Sequence, residues 1–351
     1  MLLNLIGDIA FTGLLSLDSE RNYERTKSVI PVNKVADLVL ANLEVPLLSD
    51  KNDKNSNKNF IHYSLKEPSE ELLKYLSISC VSLANNHIFD CGMSGLKETV
   101  NMLDQLGISH TGAGWKKEHL EPVIVESDGI KIGFIAYVDK STNPKTESFR
   151  ELYINYLEED RITETLKVLK QKVDIIICSL HWGVDYSYYP TNEQVKFARR
   201  IIDQGATIIM GHHPHTIQPY EKYGNGIIFY SLGGLTFGDF YKHDKLIALY
   251  KKTKRSVIAK LDVSKNRLEF NSVKELKGNY LKLDQRDFEK WSKRKWKYYR
   301  VKNSNAFLKR IFIFKENVLD RINEYFFGYY QNPVKRLFQL GNIKKLKRLF
   351  T

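Results

Sequence analysis

Seven short runs of Ile, Val, Leu and Phe punctuate the first 285 residues, each closed by a polar or glycine cluster. They are "LLNLIGD" (2–8), "DLVLANLE" (37–44), "ISCVSLA" (78–84), "KIGFIAYV" (131–138), "VDIIICSLH" (173–181), "ATIIMGH" (206–212) and "GIIFYSL" (226–232). Apolar runs of this length, rich in β-branched residues, are the buried strands of an α/β fold. Between them lie helical patterns at 69–76, 94–107, 158–172 and 192–205, with Gly107 and Gly205 placed to end helices. Period-two alternation over 256–276 predicts a closing antiparallel hairpin that turns at Lys265-Asn266.

The polar residues follow one rule: they gather where these strands end. Asp8, Glu44, Asn86 with His87, His181, and the cluster "MGHHPHTIQ" (210–218) all sit at carboxyl ends. In α/β sheets the loops at those ends converge on one rim, where ligands bind. Two carboxylates, one amide and several imidazoles form a mixed N/O donor set that suits Mn, Fe or Zn. Two such ions share a bridging carboxylate and clamp the oxygens of a phosphoryl displacement. His87, followed three residues later by Asp90, has the spacing of an oriented imidazole that can protonate a leaving oxygen or bind the phosphate.

The ordered series "GD", "NLEVP", "SLANNHIFDCGMSGL", "GISHTGAG", "HWGVDY", "GATIIMGHHPHTIQPYE" and "IFYSLG" resembles the capsule-synthesis CapA family over residues 1–240. That family is a branch of the calcineurin-like metallophosphoesterases associated with poly-γ-glutamate and exopolymer production. The resemblance implies an α/β/β/α four-layer sandwich with two divalent transition metals at the strand rim. It makes Asp8 a first-site carboxylate and Glu44 the bridge. Asn86 and His181 become second-site ligands, and His213 and His215 the pair that closes the two sites. His87 becomes the catalytic histidine and Asp90 its partner. Pro214 cannot ligate, so the His-x-His pair falls on His213 and His215. His212 is left outside the shell, as a rim or substrate-facing residue at most, whose replacement should spare the metals. The chain departs from the wider pattern where Ile9-Ala10 replace the x-His of Asp-x-His, at Gly13 for an Arg, and at Gly234 for an Asn.

The function expected is hydrolysis of a phosphoester in capsule, exopolysaccharide or poly-γ-glutamate synthesis, on a phosphorylated or polymer-linked substrate. The alternative is a non-catalytic assembly protein that keeps the fold and part of the metal site. Three scattered cysteines without a CxxC fit a reducing cytoplasm, and the start is too quickly acidic for a signal peptide.

The net charge of +13 is confined to one end. Residues 286–351 hold 18 Lys+Arg and 5 Asp+Glu, whereas residues 1–285 hold 36 of each. Charge alone draws a boundary near 280, with a domain at 1–280 and a basic helical appendage at 281–351. Amphipathic patterns at 305–330 and 333–350 read first as a helical appendage packed on the catalytic domain, and next as a segment suited to an anionic membrane surface at the inner membrane face, or to a capsule-synthesis complex. "WSKRKWKYYR" (291–300) interleaves aromatics with basics, but no nucleic-acid module accompanies it, so nucleic acid is not the expected partner.

Overall fold

The computed structural model describes residues 1–50, 62–142, 144, 151–237, 240–242, 245–247 and 253–304. Two sheets form from the apolar runs. The first orders its strands Leu281–Asp284, Arg267–Glu275, Arg255–Asp262, Leu2–Ala10, Leu38–Leu43, Cys80–Ser82 and Ser109–Thr111, and Gly234–Phe237 also pairs with Leu2–Ala10. The second orders Tyr220–Tyr223, Gly226–Phe229, Ile208–His212, Ile175–His181, Ile130–Val138 and Val123–Ser127. The centre of each sheet is parallel, which points the carboxyl ends of the main strands at one rim.

The sheets pack face to face, and side-chain alternation assigns the layers. Leu3, Leu5 and Leu40 of the first sheet meet Phe134, Ile177 and Met210 of the second in one apolar cluster. The opposite face of the first sheet, with Ile6, Val39 and Val81, packs on Leu72 and Leu73 of helix Lys66–Tyr75 and on Leu96 and Val100 of helix Gly92–Gln105. Tyr137, Ile176 and Cys178 turn outward to Leu166 of helix Glu159–Leu169 and Ile201 of helix Asn192–Asp203. The α/β/β/α sandwich is therefore built from strands apolar on both faces, as their sequence requires.

The hairpin over 255–275 forms with Asn266 at positive φ, and it extends the first sheet beyond its parallel part. The boundary drawn from charge at 280 falls inside this sheet, because Leu281–Asp284 pairs with Arg267–Glu275. Helix Phe288–Ser304 then folds back onto the body: Phe288 and Trp291 join the inter-sheet cluster, and Tyr299 joins the outer one. Charge reports exposed faces and not packing, so it marks the start of this helix rather than the end of a folded unit. The amphipathic stretches at 305–330 and 333–350 lie outside the described residues. No helix among the described residues is long and apolar enough to cross a membrane.

Candidate metal centre

Two glycines bring the key strands close. A Cβ on Gly7 would lie 1.8 Å from the Gly233 carbonyl oxygen, and one on Gly211 would lie 2.0 Å from the Tyr230 oxygen. Only glycine fits such approaches, and each is followed by a residue of the cluster, Asp8 or His212. Register does the rest. Asp8 pairs with Asn42 across adjacent strands of the first sheet, and His181 pairs with His212 in the second.

Asp8 is fully buried and saturated with donors. His212 Nδ1 lies 2.9 Å and Asn42 Nδ2 3.0 Å from its Oδ1, while His215 Nδ1 lies 3.0 Å from its Oδ2. Burial opposes ionisation here, but the His212 and His215 hydrogen bonds win and hold the carboxyl well below the usual range. Glu44 is equally buried and has the opposite balance. Its Oε2 receives Asn42 Nδ2 at 3.3 Å, whereas its Oε1 has no hydrogen-bond partner. Burial first, then the charges of Asp8, Asp185 and Asp90, push the Glu44 carboxyl well above its ordinary value.

That Oε1 lies 3.7 Å from His181 Nε2 and 3.4 Å from His215 Nε2. Two donor triads share Glu44: Glu44, His181 and His213, and Asp8, Glu44 and His215, with the ligand atoms of each within 4.8 Å of one another. A buried carboxylate oxygen facing two imidazole nitrogens, with no proton donor of its own, fits a shared cation. Burial drives the His181 imidazole well below its usual value and His213 down to about 4, so both rings are neutral, as ligation requires.

The remaining expected residues are also brought together. Asn86 Oδ1 is 2.9 Å from His181 Nε2, which puts the amide beside the triad that contains His181. His87 Nδ1 is 2.9 Å from Asp90 Oδ2, and Asp90 is fully buried. His62 adds to this pair: its amide donates to Asp90 Oδ2 at 2.9 Å, and its ring packs edge-on to His87 at 4.5 Å between centroids.

His212 differs from the expectation. It is not a rim residue: it is 1% exposed, and its imidazole is one of the three donors on Asp8. The Gly-His step places it one strand over from Asp8, and the alternation of the strand turns it inward. His213 and His215 then leave the strand with φ of 92° and 52°, conformations that cost a non-glycine residue about 1–3 kcal/mol. The adjoining loop holds this turn in place. Trp182 N donates to His212 O at 3.2 Å, Tyr186 N to Pro214 O at 2.9 Å, and Gln218 Nε2 to Ser187 O at 3.0 Å.

Besides His62, three participants have no counterpart among the residues expected from sequence. Asn42 offers two amide hydrogens to Asp8 and Glu44. Asn85 holds the turn, receiving the amides of His87 and Ile88 at Oδ1 and donating to Leu43 O at 2.8 Å. Asp185 Oδ1 lies 3.2 Å from His213 Nε2, on the side of the ring away from His181. Asn42 is within reach of sequence reasoning, since it stands two residues before Glu44 on a strand and so shares its face.

The model of a protein family described as bacterial capsule synthesis protein PGA_cap matches residues 2–239. The chain belongs to this family. Its match runs from the first strand past the last histidine of the cluster, so the two donor triads lie within the family's domain. The capsule biosynthesis protein CapA of Bacillus anthracis is 30% identical over 230 residues, covering 64% of this chain and 56% of that protein. The PGA biosynthesis protein CapA of Bacillus subtilis (strain 168) is 31% identical over 220 residues, covering 60% of this chain and 55% of that protein. The chain thus spans just over half the length of the curated relatives it matches. Among solved structures, a 5'-nucleotidase precursor from Thermus thermophilus aligns with 85% of this chain and 58% of its own, at 15% identity and a TM-score of 0.41.

Proposed function

We propose that this protein is a metal-dependent phosphoesterase holding two divalent transition ions, and that it acts on a phosphorylated intermediate of capsule or poly-γ-glutamate synthesis. The observation that carries the reading is Glu44, the acid common to both triads, whose buried Oε1 has no hydrogen-bond donor. Asp8, Glu44 and His215 would hold one ion, and Glu44, His181 and His213, with Asn86 beside them, the other. The nitrogen and oxygen donors suit Mn, Fe or Zn. When bound, such a pair supplies Lewis acidity at a phosphoryl oxygen and a nucleophile drawn from water at neutral pH.

The chain's own residues supply orientation and a proton. Asp90, buried and aimed at His87 Nδ1, fixes the orientation of that ring and leaves Nε2 to deliver a proton to the departing oxygen. The His62 amide on the same carboxylate oxygen keeps Asp90 from swinging away. Asn42 fixes the relative position of Asp8 and Glu44, so that both acids present the same edge to the cluster.

Metal analysis paired with turnover of generic phosphomonoesters and phosphodiesters tests this. About two ions per chain are expected, and His87→Ala should lower kcat by about 10²- to 10⁴-fold with metal content unchanged. Activity that survives His87→Ala removes the role given to that ring. Two bound ions with no turnover on any phosphoester would favour a non-catalytic assembly role instead.

A further inference from the structure

The first turn of helix Phe288–Ser304 borders a second feature, unrelated to the acid–imidazole cluster. A cavity of about 310 Å³ is lined by Arg286, Asp287, Lys290, Trp291 and Arg294. Its one acid is already engaged: Asp287 Oδ1 accepts the Lys290 amide at 2.9 Å and its carbonyl accepts the Trp291 amide at 3.1 Å, so it caps the helix. A fourth cation, Arg255, stands close enough to act on Arg286, but it is paired with Asp284. Among the described residues, Arg286, Lys290 and Arg294 form no ion pair.

The two flanks of this helix differ in a telling way. Lys293 stands four residues after Glu289 and pairs with it at 2.8 Å, the ordinary way for a helix to satisfy a charge. Lys290 and Arg294 are also four apart, yet they are alike in sign, an arrangement that costs helix stability. Burial, then the charge of Arg255, pushes the Arg286 guanidinium down; Asp284 and Tyr188 oppose this and Arg294 adds to it. Trp291, 8% exposed and part of the inter-sheet cluster, is the apolar member of the cavity lining. Three exposed cations from one stretch of nine residues, without ion-pair partners among the described residues, surround one hollow and form an anion cradle.

We propose that this cradle binds a phosphate group, with the forks of Arg286 and Arg294 and the ammonium of Lys290 as its donors. Guanidinium forks match phosphate oxygens two at a time, and a tetrahedral anion can meet three donors arriving from different directions, which a planar carboxylate does less well. The 183–189 loop links the cradle to the metal cluster: Asp185 faces His213, and Tyr188 lies beside Lys295, whose ammonium is 4.8 Å from its ring. The subsite stands on its own and does not depend on the cluster's hydrolysing anything. Its phosphate could belong to a soluble ligand or to a lipid headgroup, which share this chemistry.

The test is calorimetric titration of the full chain, stripped of metal with chelator, using pyrophosphate as the probe. Stripping removes the other place where phosphate could bind. One saturable site is expected, weakened about tenfold or more by Arg286→Ala and by Arg294→Ala, but less than about twofold by Lys293→Ala on the paired flank. Citrate at matched ionic strength should bind at least about tenfold more weakly than pyrophosphate. Absence of saturable binding, equal losses in Arg294→Ala and Lys293→Ala, or citrate as tight as pyrophosphate would each overturn the proposal. Thermal melts of the variants separate lost binding from lost folding, and Arg294→Lys, which keeps the charge but not the fork, should recover only part of the affinity. Sedimentation with phosphatidylglycerol and phosphatidylcholine vesicles identifies the source. Binding to the former alone, sensitive to Arg294→Ala, assigns a lipid headgroup; pyrophosphate binding without it assigns a soluble phosphate.

Discussion

The first sheet and its loops carry Asp8, Asn42, Glu44 and Asn86 to the rim, whereas the second carries His181, His212, His213 and His215. One half of the cluster is therefore acid and amide, and the other is imidazole. Neither half is stable alone: two fully buried carboxylates in one sheet, with no donors opposite, would repel each other in a dry environment. The imidazoles resolve this unevenly. Asp8 takes two of them as hydrogen-bond partners and stays ionised, while Glu44 keeps one oxygen without a donor. The acid least served by the protein is the one both triads share. The seam between the sheets is thus where a cation adds most.

Substitutions can break this comparison one half at a time. The largest effect belongs to Glu44→Gln, which removes the shared charge. Metal analysis should fall from about two ions per chain to nearly none, and retention of one ion would make Glu44 an ordinary ligand. Next come the imidazoles that serve one triad each. His213→Ala and His215→Ala should each leave about one ion bound, with the remaining affinity different in the two variants. If either variant loses both, the two triads are not separable.

A smaller effect is expected at Asp185, which touches no other member of the triads. Its carboxylate on His213 Nε2 fixes that nitrogen as the protonated one and leaves Nδ1 facing His181, 3.2 Å away. Asp185→Asn should weaken binding at that triad by about 10- to 100-fold without changing stoichiometry at saturating metal. Affinity unchanged in a direct titration would reduce Asp185 to a surface charge. The smallest effect is that of His212→Ala, because Asp8 keeps Asn42 and His215. Loss of one donor to a buried carboxylate should cost the metal-free fold about 1–3 kcal/mol in denaturant melts. A variant with unaltered stability would restore His212 to the bystander role that its place before His213 suggests.

Much of this is legible because strand ends are legible. The apolar runs ending at Asp8, Glu44, His181 and His212 locate the rim, and the chemistry of the residue types names the donor set. What the sequence hides is pairing across the seam. Nothing near Asp185 says that it meets His213, because that contact depends on how two loops are tied together by Trp182 and Tyr186 backbone amides. The place of His212 is hidden for a related reason. Exclusion from a ligand pair says nothing about where a side chain points, and register with His181 turns this one toward Asp8. The short strands Val123–Ser127 and Tyr220–Tyr223 escape the apolar pattern because edge strands need little apolar sequence and take their order from a neighbour.

The helix that follows residue 285 has a practical consequence for anyone trimming the chain. Tyr220–Tyr223 is an outer strand of the second sheet, and both main-chain groups of Tyr220 are satisfied by that helix: its amide by Ser292 Oγ at 3.0 Å and its carbonyl by the Trp296 indole. The helix is a lid on an open sheet margin, with Phe288 and Trp291 as its fasteners. A polypeptide cut at 280 or 285 to isolate the metal-binding body would shed that lid and offer a sticky strand to its neighbours. A fragment that keeps this packing therefore extends at least through Tyr299, whose ring joins the outer cluster.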